Sequence, residues 1–137
     1  MVDKDVLSSR LAALDGYLVE LRSFLDVSRE QFVEESAIHH LAERFVHLAC
    51  EAILDIAHHV ISDLALRQPA TYRETMQVLG QAGLLEEDNA AKLADWMSLR
   101  NVLVHLYLKI DHGRVWDDLR AGFGDLERFR NEMAELL

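Results

Sequence analysis

The stretch Glu43–Ile61, ERFVHLACEAILDIAHHVI, indicates the fold class of this chain. Its apolar residues recur every three or four positions, which is the spacing of a helix rather than of a strand. The predicted helix ends near Leu64, and its apolar face is unusually broad: Ile38, Leu41, Phe45, Leu48, Ala49, Ala52, Ile53, Ile56, Val60 and Ile61. A face this broad leaves surplus apolar surface for an interface with a second chain.

Four more helices are predicted, one before this stretch and three after it. The first runs from about Asp3 to about Asp26, and Ser28 with Gln31 forms a capping box that predicts a short turn. The apolar seam of the first helix follows alternating steps of four and three residues, at Leu7, Leu11, Leu14, Leu18, Leu21 and Leu25.

The three later helices are bounded by capping, acidic and glycine residues. Thr71 with Glu74 forms a second capping box, which opens a helix that ends near Leu79. The acidic run 86–88 suits the first turn of the next helix, and a break at 111–113 separates it from a fifth helix. No segment shows the period-two alternation of a strand. The sequence therefore predicts one all-α bundle, a single domain over residues 1–137.

The composition and net charge of the chain limit the functions that such a bundle can have. The chain has 137 residues, half of them hydrophobic, and a formal net charge of −10, which is the reverse of a broad nucleic-acid binder. Any contact with nucleic acid must therefore be local. The charged N-terminus lacks the apolar core of a signal peptide, and no segment is free of charge for the length of a membrane span, so we expect a cytoplasmic protein. Cys50 is the only cysteine, which excludes an intrachain disulfide.

Four polar residues interrupt the apolar run Arg100–Tyr107, RNVLVHLY, in the second half of the fourth predicted helix. On an ideal helix Asn101 and His105 share one face, whereas Arg100 and Tyr107 share another, and Arg100 lies about 140° from His105. The two halves of the motif therefore face apart. A swing of the long arginine side chain, a distorted helix or a second protomer with its own copy of the motif would each bring them together.

These residue types suit metal-free cleavage of RNA. Histidine exchanges protons near neutral pH, an asparagine four residues before it can fix its ring, and arginine binds phosphate bidentately. When the ribose 2′-hydroxyl attacks the adjacent phosphorus, the site needs a proton acceptor, a proton donor and a cation to stabilise the transition state. The two histidines of a dimer would divide the acid and base roles.

The predicted central helix carries a rival pattern. His40, His47 and His58 lie on one side of it, with Glu43, Glu51 and Asp55 nearby. This pattern raises a metal-binding bundle as an alternative, although the Glu-x-x-His spacing of di-metal bundles is missing and a solvated or partner-facing stripe is favoured. The sequence assigns no role to His39, His59 or His112.

Three stretches resemble one known family. RNVLVHLY matches the R-N-x3-H-x-Y signature of HepT-like toxins in the HEPN superfamily of helical ribonucleases. Glu43–Ile61 resembles the second helix of that family, and PATYRE with GQAG, at 69–74 and 80–83, resembles its third-helix region. Ile110 and Asp111 also fit, so the resemblance covers nearly the whole chain.

The resemblance implies a HEPN-like fold and a homodimeric, metal-independent endoribonuclease without a cofactor, the toxin of a type VII-like toxin–antitoxin system. Arg100 and His105 would form the catalytic pair at the dimer interface, with Asn101 in support. The partner would be a nucleotidyltransferase antitoxin of the MntA type, which silences such toxins by attaching AMP to the motif tyrosine, here Tyr107. Some members of the superfamily bind nucleotides or proteins without cutting, so a catalytically silent module is the alternative.

Overall fold

The computed structural model of the protein describes all residues, Met1–Leu137. The fold is all-helical and has no strands, which confirms the predicted fold class. Its elements are α1 (Lys4–Arg22), α2 (Arg29–Glu34), α3 (Ser36–Asp63), α4 (Tyr72–Gln81), α5 (Glu87–His105), a 3₁₀ turn (Tyr107–Lys109) and α6 (His112–Ala134).

Helix α3 is the central element of the bundle, because it contacts α1, α2, α4, α5 and α6. Small buried residues such as Ala42, Ala49 and Ala57 let the neighbouring helices approach its backbone closely. By length and composition alone α3 could cross a membrane, but more than half of its most apolar window is buried inside the protein, as in the core helix of a soluble bundle. Its apolar face extends beyond the core, since Leu41 stays exposed.

One more α-helix forms than the five that the sequence predicts. Ser28 accepts a hydrogen bond from the backbone N–H of Gln31, as the capping box predicts, but the turn continues as α2. The reason is tertiary: Phe32 is fully buried, and the indole of Trp116 on α6 donates to the carbonyl of Val27. Helix α1 is correspondingly shorter than predicted, since it ends at Arg22.

The fourth predicted helix ends within the motif. Leu106 leaves the helix at φ −123° and ψ 33°, a 3₁₀ turn follows, and Asp111 then caps α6 by accepting from the N–H of Arg114. The residues just after the end of the helix are exposed, so burial does little to favour extending α5 over them. Tyr107 is therefore off the helix, and the prediction that it shares a helix face with Arg100 is wrong.

Candidate functional site

Arg100 is held on two edges and one face of its guanidinium. Its Nε donates to Oε1 of Glu51 on α3 at 2.5 Å, and its Nη1 donates to Oδ1 of Asn101 at 3.1 Å. The guanidinium carbon lies 4.9 Å from the ring centroid of Tyr72, at the start of α4, within the range of a cation–π contact. Only 11% of the Arg100 side chain is exposed. Nη2 makes no hydrogen bond within the chain, so it remains available for an anion.

Glu51 is the last of three polar side chains that interact in series along α3, after Arg44 and His47. Its Oε1 lies 3.5 Å from Nε2 of His47, and Nη1 of Arg44 lies 3.1 Å from Nδ1 of the same ring. Because arginine only donates, Nδ1 must accept, which places the proton of a neutral His47 on Nε2, facing Glu51. Burial lowers the pKa of His47; Glu51 opposes this, and the positive charges of Arg44 and Arg100 add to it. His47 is thus held in its neutral form.

The other motif residues lie at the open end of α5. His105 is exposed at the last position of the helix, and Tyr107 on the 3₁₀ turn is 66% exposed. Asn101 pairs with Arg100 and makes no hydrogen bond with His105. The motif therefore divides differently from the prediction. Arg100 and Asn101 are hydrogen-bonded to each other, whereas His105 and Tyr107 are exposed at the end of α5.

A groove between α5 and α6 does not contain these side chains. It measures about 750 Å³ and lies on the side of α5 formed by Ser98, Leu99 and Val102. Its charged lining carries equal numbers of bases and acids: Arg73, Lys92, Lys109 and Arg114, with Asp95, Asp111, Asp118 and Asp125. The four polar residues of the motif do not line this groove.

The histidines of the rival metal pattern take separate partners. His40 is exposed with its Nδ1 3.9 Å from Glu43, His47 belongs to the series described above, and Nε2 of His58 lies 3.4 Å from the hydroxyl of Thr75. No group of three or more His, Cys, Asp or Glu side chains in the structure is arranged to hold a metal ion. The structure therefore gives no support to the metal-binding alternative.

Two contacts of the site are not predicted from the sequence. One is Glu51 as the partner of Arg100. The other is a cluster in which the rings of His39 and His112 stack with centroids 3.6 Å apart, while Nδ1 of His112 lies 2.5 Å from Oε2 of the buried Glu43. The available signal was the spacing of four between His39, Glu43, His47 and Glu51, which places all four on one face of α3. That face lies against the ends of α5 and α6.

Most of the chain matches a known protein family. The family model described as "Ribonuclease HepT-like" matches residues 14–133. The chain belongs to the HepT-like ribonuclease family. Among curated relatives, the tRNA nuclease HepT of Aphanizomenon flos-aquae is 29% identical over 115 residues, covering 84% of this chain and 78% of the relative. The putative RNase YutE of Bacillus subtilis is 29% identical over 136 residues, covering 99% of this HepT-like chain and 90% of the relative.

The fold of this HepT-like protein also matches solved structures. One of them is the tri-AMPylated HEPN toxin of Shewanella oneidensis in complex with MNT antitoxin. The TM-score is 0.86 at 21% identity, and the match covers 96% of this chain and 98% of the toxin. The likeness confirms the predicted HEPN-like architecture.

Proposed function

We propose that this HepT-like protein is a metal-independent RNA endonuclease, the toxin of a toxin–antitoxin pair, acting in the cytoplasm. The observation that carries the proposal is the state of Arg100. Its guanidinium is fixed on two edges and one face, while Nη2 is left without a partner. A phosphodiester oxygen is the ligand that such a free, oriented N–H edge suits, and the family match makes RNA the expected source.

In the proposed reaction, a ribose 2′-hydroxyl loses its proton to a histidine and attacks the adjacent phosphorus, and the 5′-oxygen leaves with a proton from a second histidine. Arg100 stabilises the charge that builds on the phosphoryl oxygens. Asn101 is assigned to holding Arg100, the residue it contacts, rather than His105. His105 exchanges the proton, because it is exposed and has no hydrogen-bond partner within the chain to compete with substrate.

The proposal requires a second copy of the chain. Arg100 points inward toward α3, whereas His105 projects from the end of α5, so one chain does not present both to the same phosphate. Exposed leucines lie beside Tyr107, at Leu106 and Leu108, and on α3, at Leu41. A two-fold homodimer that buries them would bring the histidine of one chain toward the arginine of the other.

Control by an antitoxin rests on Tyr107. Its exposed phenol on a short 3₁₀ turn is accessible to a nucleotidyltransferase partner. Attack of the phenol oxygen on the α-phosphorus of ATP would release pyrophosphate and leave AMP on the tyrosine. The added phosphodiester carries a negative charge beside the cleft, where it would oppose entry of an RNA phosphate by charge and by bulk.

The decisive experiment is RNA cleavage by the purified chain in the presence of a chelator. We expect cleavage by the wild type and a loss of at least about 100-fold in Arg100→Ala and His105→Ala, since each removes transition-state stabilisation or proton transfer. Arg10→Ala, which removes an exposed arginine on α1, is the matched control and should cleave normally. A dimer that binds RNA or nucleotide without cutting would instead establish the silent HEPN module.

Antitoxin control is tested by co-expression with a nucleotidyltransferase antitoxin of the MntA type. We expect growth arrest by the chain alone, rescue by the partner, and mass increments of adenylate size that are absent in Tyr107→Phe. Rescue of the Tyr107→Phe toxin without any added mass would show that control runs through complex formation, and the modification proposal would fail.

A further inference from the structure

Glu51 fixes the orientation of the arginine on which the proposed reaction depends. A free arginine side chain samples many rotamers, but here the Nε edge is anchored to a carboxylate 2.5 Å away on the most extensively packed helix of the bundle. Asn101 and Tyr72 alone leave the Nε edge free, because they hold Nη1 and one face. We propose that Glu51, supported by His47, is the positioning residue for Arg100; this rests on the proposed function.

Glu51 is itself oriented by His47, which is in turn held by Arg44. Arg44 donates to Nδ1 of His47, so Nε2–H points to the same Oε1 that Arg100 binds. Residues 44, 47 and 51 occupy successive turns of α3, whose neighbours Cys50, Ile53 and Leu54 are buried. The carboxylate therefore has a rigid backbone behind it and a second donor beside it.

The anchor determines which donors of Arg100 meet the substrate. A guanidinium has five N–H groups, and with one on Glu51 and one on Asn101, the two of Nη2 and one of Nη1 remain. The end edge of the fork is formed by one N–H of each Nη, and such an edge binds two oxygens of one phosphoryl group. Fixing this edge before RNA binds helps the transition state more than it helps ground-state binding.

The negative charge of Glu51 lets kinetics distinguish positioning of Arg100 from RNA binding, because kcat and KM should respond differently to its removal. Glu51→Ala frees the guanidinium, so kcat should fall about 100-fold. The same change removes a negative charge near the incoming phosphate, so KM should stay constant or fall rather than rise. Glu51→Gln keeps an oxygen that accepts from Nε, so its kcat should stay within about fivefold of wild type. A smaller folded fraction would also lower the apparent kcat, and the melting temperature separates that outcome from a loss of positioning.

Asp55 provides the matched control, because it lies one turn further along α3, is exposed and makes no side-chain hydrogen bond. Asp55→Ala and Asp55→Asn remove the same charge and should keep the wild-type kcat. Melting temperature and dimer mass are measured for all four variants. Wild-type kcat in Glu51→Ala, or a Glu51→Gln enzyme as slow as Glu51→Ala, overturns the proposal.

A readout without catalysis separates failure of this proposal from failure of the proposed function. In ¹⁵N-labelled protein, the Nε–H resonance of Arg100, assigned through its loss in Arg100→Lys, should lie downfield because it is bonded to a carboxylate. It should move upfield in Glu51→Gln and stay in place in Asp55→Asn. If the wild type does not cleave RNA, the proposed function fails, and this shift still tests the contact. An unshifted resonance in Glu51→Gln overturns the positioning role, even if Glu51→Ala does not fold.

Discussion

At the scale of single residues, His47 links the site to pH. Its pKa lies below the ordinary value of 6.5, chiefly because it is partly buried, while Glu51 opposes the shift and Arg44 and Arg100 add to it. At a pH between the pKa of His47 in the folded chain and its pKa in the unfolded chain, the unfolded chain binds a proton that the folded chain does not bind. The stability present above the unfolded pKa is therefore lost as the pH falls through the folded pKa.

We expect the free energy of unfolding to fall more steeply from about pH 7 to about pH 5 in the wild type than in His47→Gln. Glutamine can accept from Arg44 and donate to Glu51 but does not titrate. Urea unfolding at one fixed protein concentration measures both slopes, and the other titrating groups cancel in their difference. Equal slopes would show that His47 takes up its proton as readily in the folded as in the unfolded chain.

The sequence predicted the candidate residues of the motif but not the partners that orient them. A local pattern shows which residue types recur on a helix, and it placed Glu51 and His47 on one side of α3. It does not show which helix will pack there, so the pair was interpreted as part of a possible metal site. The contact with Arg100, 49 positions away, depends on how α3 and α5 pack.

At the scale of helices, α3 and α4 end in the same motif with different residues. In each, the N–H two residues beyond the cap bonds back to the third-last helical carbonyl, from Leu66 to Ile61 and from Leu84 to Leu79. The residue between has a positive φ, 75° at Gly83 but 53° at Ala65. The left-handed conformation strains Ala65 through its Cβ, whereas glycine adopts it freely.

Ala65→Gly should therefore stabilise the fold by about 0.5–1 kcal/mol, since relief of strain exceeds the added flexibility of the unfolded chain. Gly83→Ala is the matched reverse change and should destabilise by about 1 kcal/mol; a Cβ there meets no atom within 4 Å, so the effect is conformational. Denaturant unfolding measures both. Loss of stability in Ala65→Gly would mean that the unfolded-state term dominates.

Five of the six helices were predictable in type and order because they carry local signals, whereas α2 was predicted only as a capped turn. Thr71 accepts from the N–H of Glu74 as its capping box predicts, and α3 ends one residue before the predicted Leu64. The end of α5 was not predictable, since Leu106 and Leu108 have the composition of a continuing helix. Leu106 and Leu108 are exposed, so burial does little to favour a longer helix, and Asp111 caps α6 soon afterwards.

At the scale of the whole molecule, the net charge and the exposed apolar surface bear on different parts of the proposal, namely RNA binding and dimerisation. A chain with a formal charge of −10 repels RNA at long range, so attraction must come from a few cations gathered at one place. Two-fold pairing at the exposed leucines would place two copies of Arg44 and Arg100 around one cleft. A site that takes residues from both chains can be tested with mixed dimers.

We expect the histidines of both chains to act at one phosphate, and dimers that mix wild-type and His105→Ala chains test this. Refolding equal amounts of the two chains together makes one quarter wild-type dimers, one half mixed dimers and one quarter variant dimers. Because the proposed reaction needs both histidines, only the wild-type dimers should cleave RNA, and the mixture should keep about one quarter of the activity of the same amount of wild-type protein. The two chains refolded separately and then combined are the control and should keep about one half. If the co-refolded mixture also keeps one half although native mass spectrometry shows mixed dimers, each chain cleaves with its own histidine, and the inward direction of Arg100 would have to change on RNA binding.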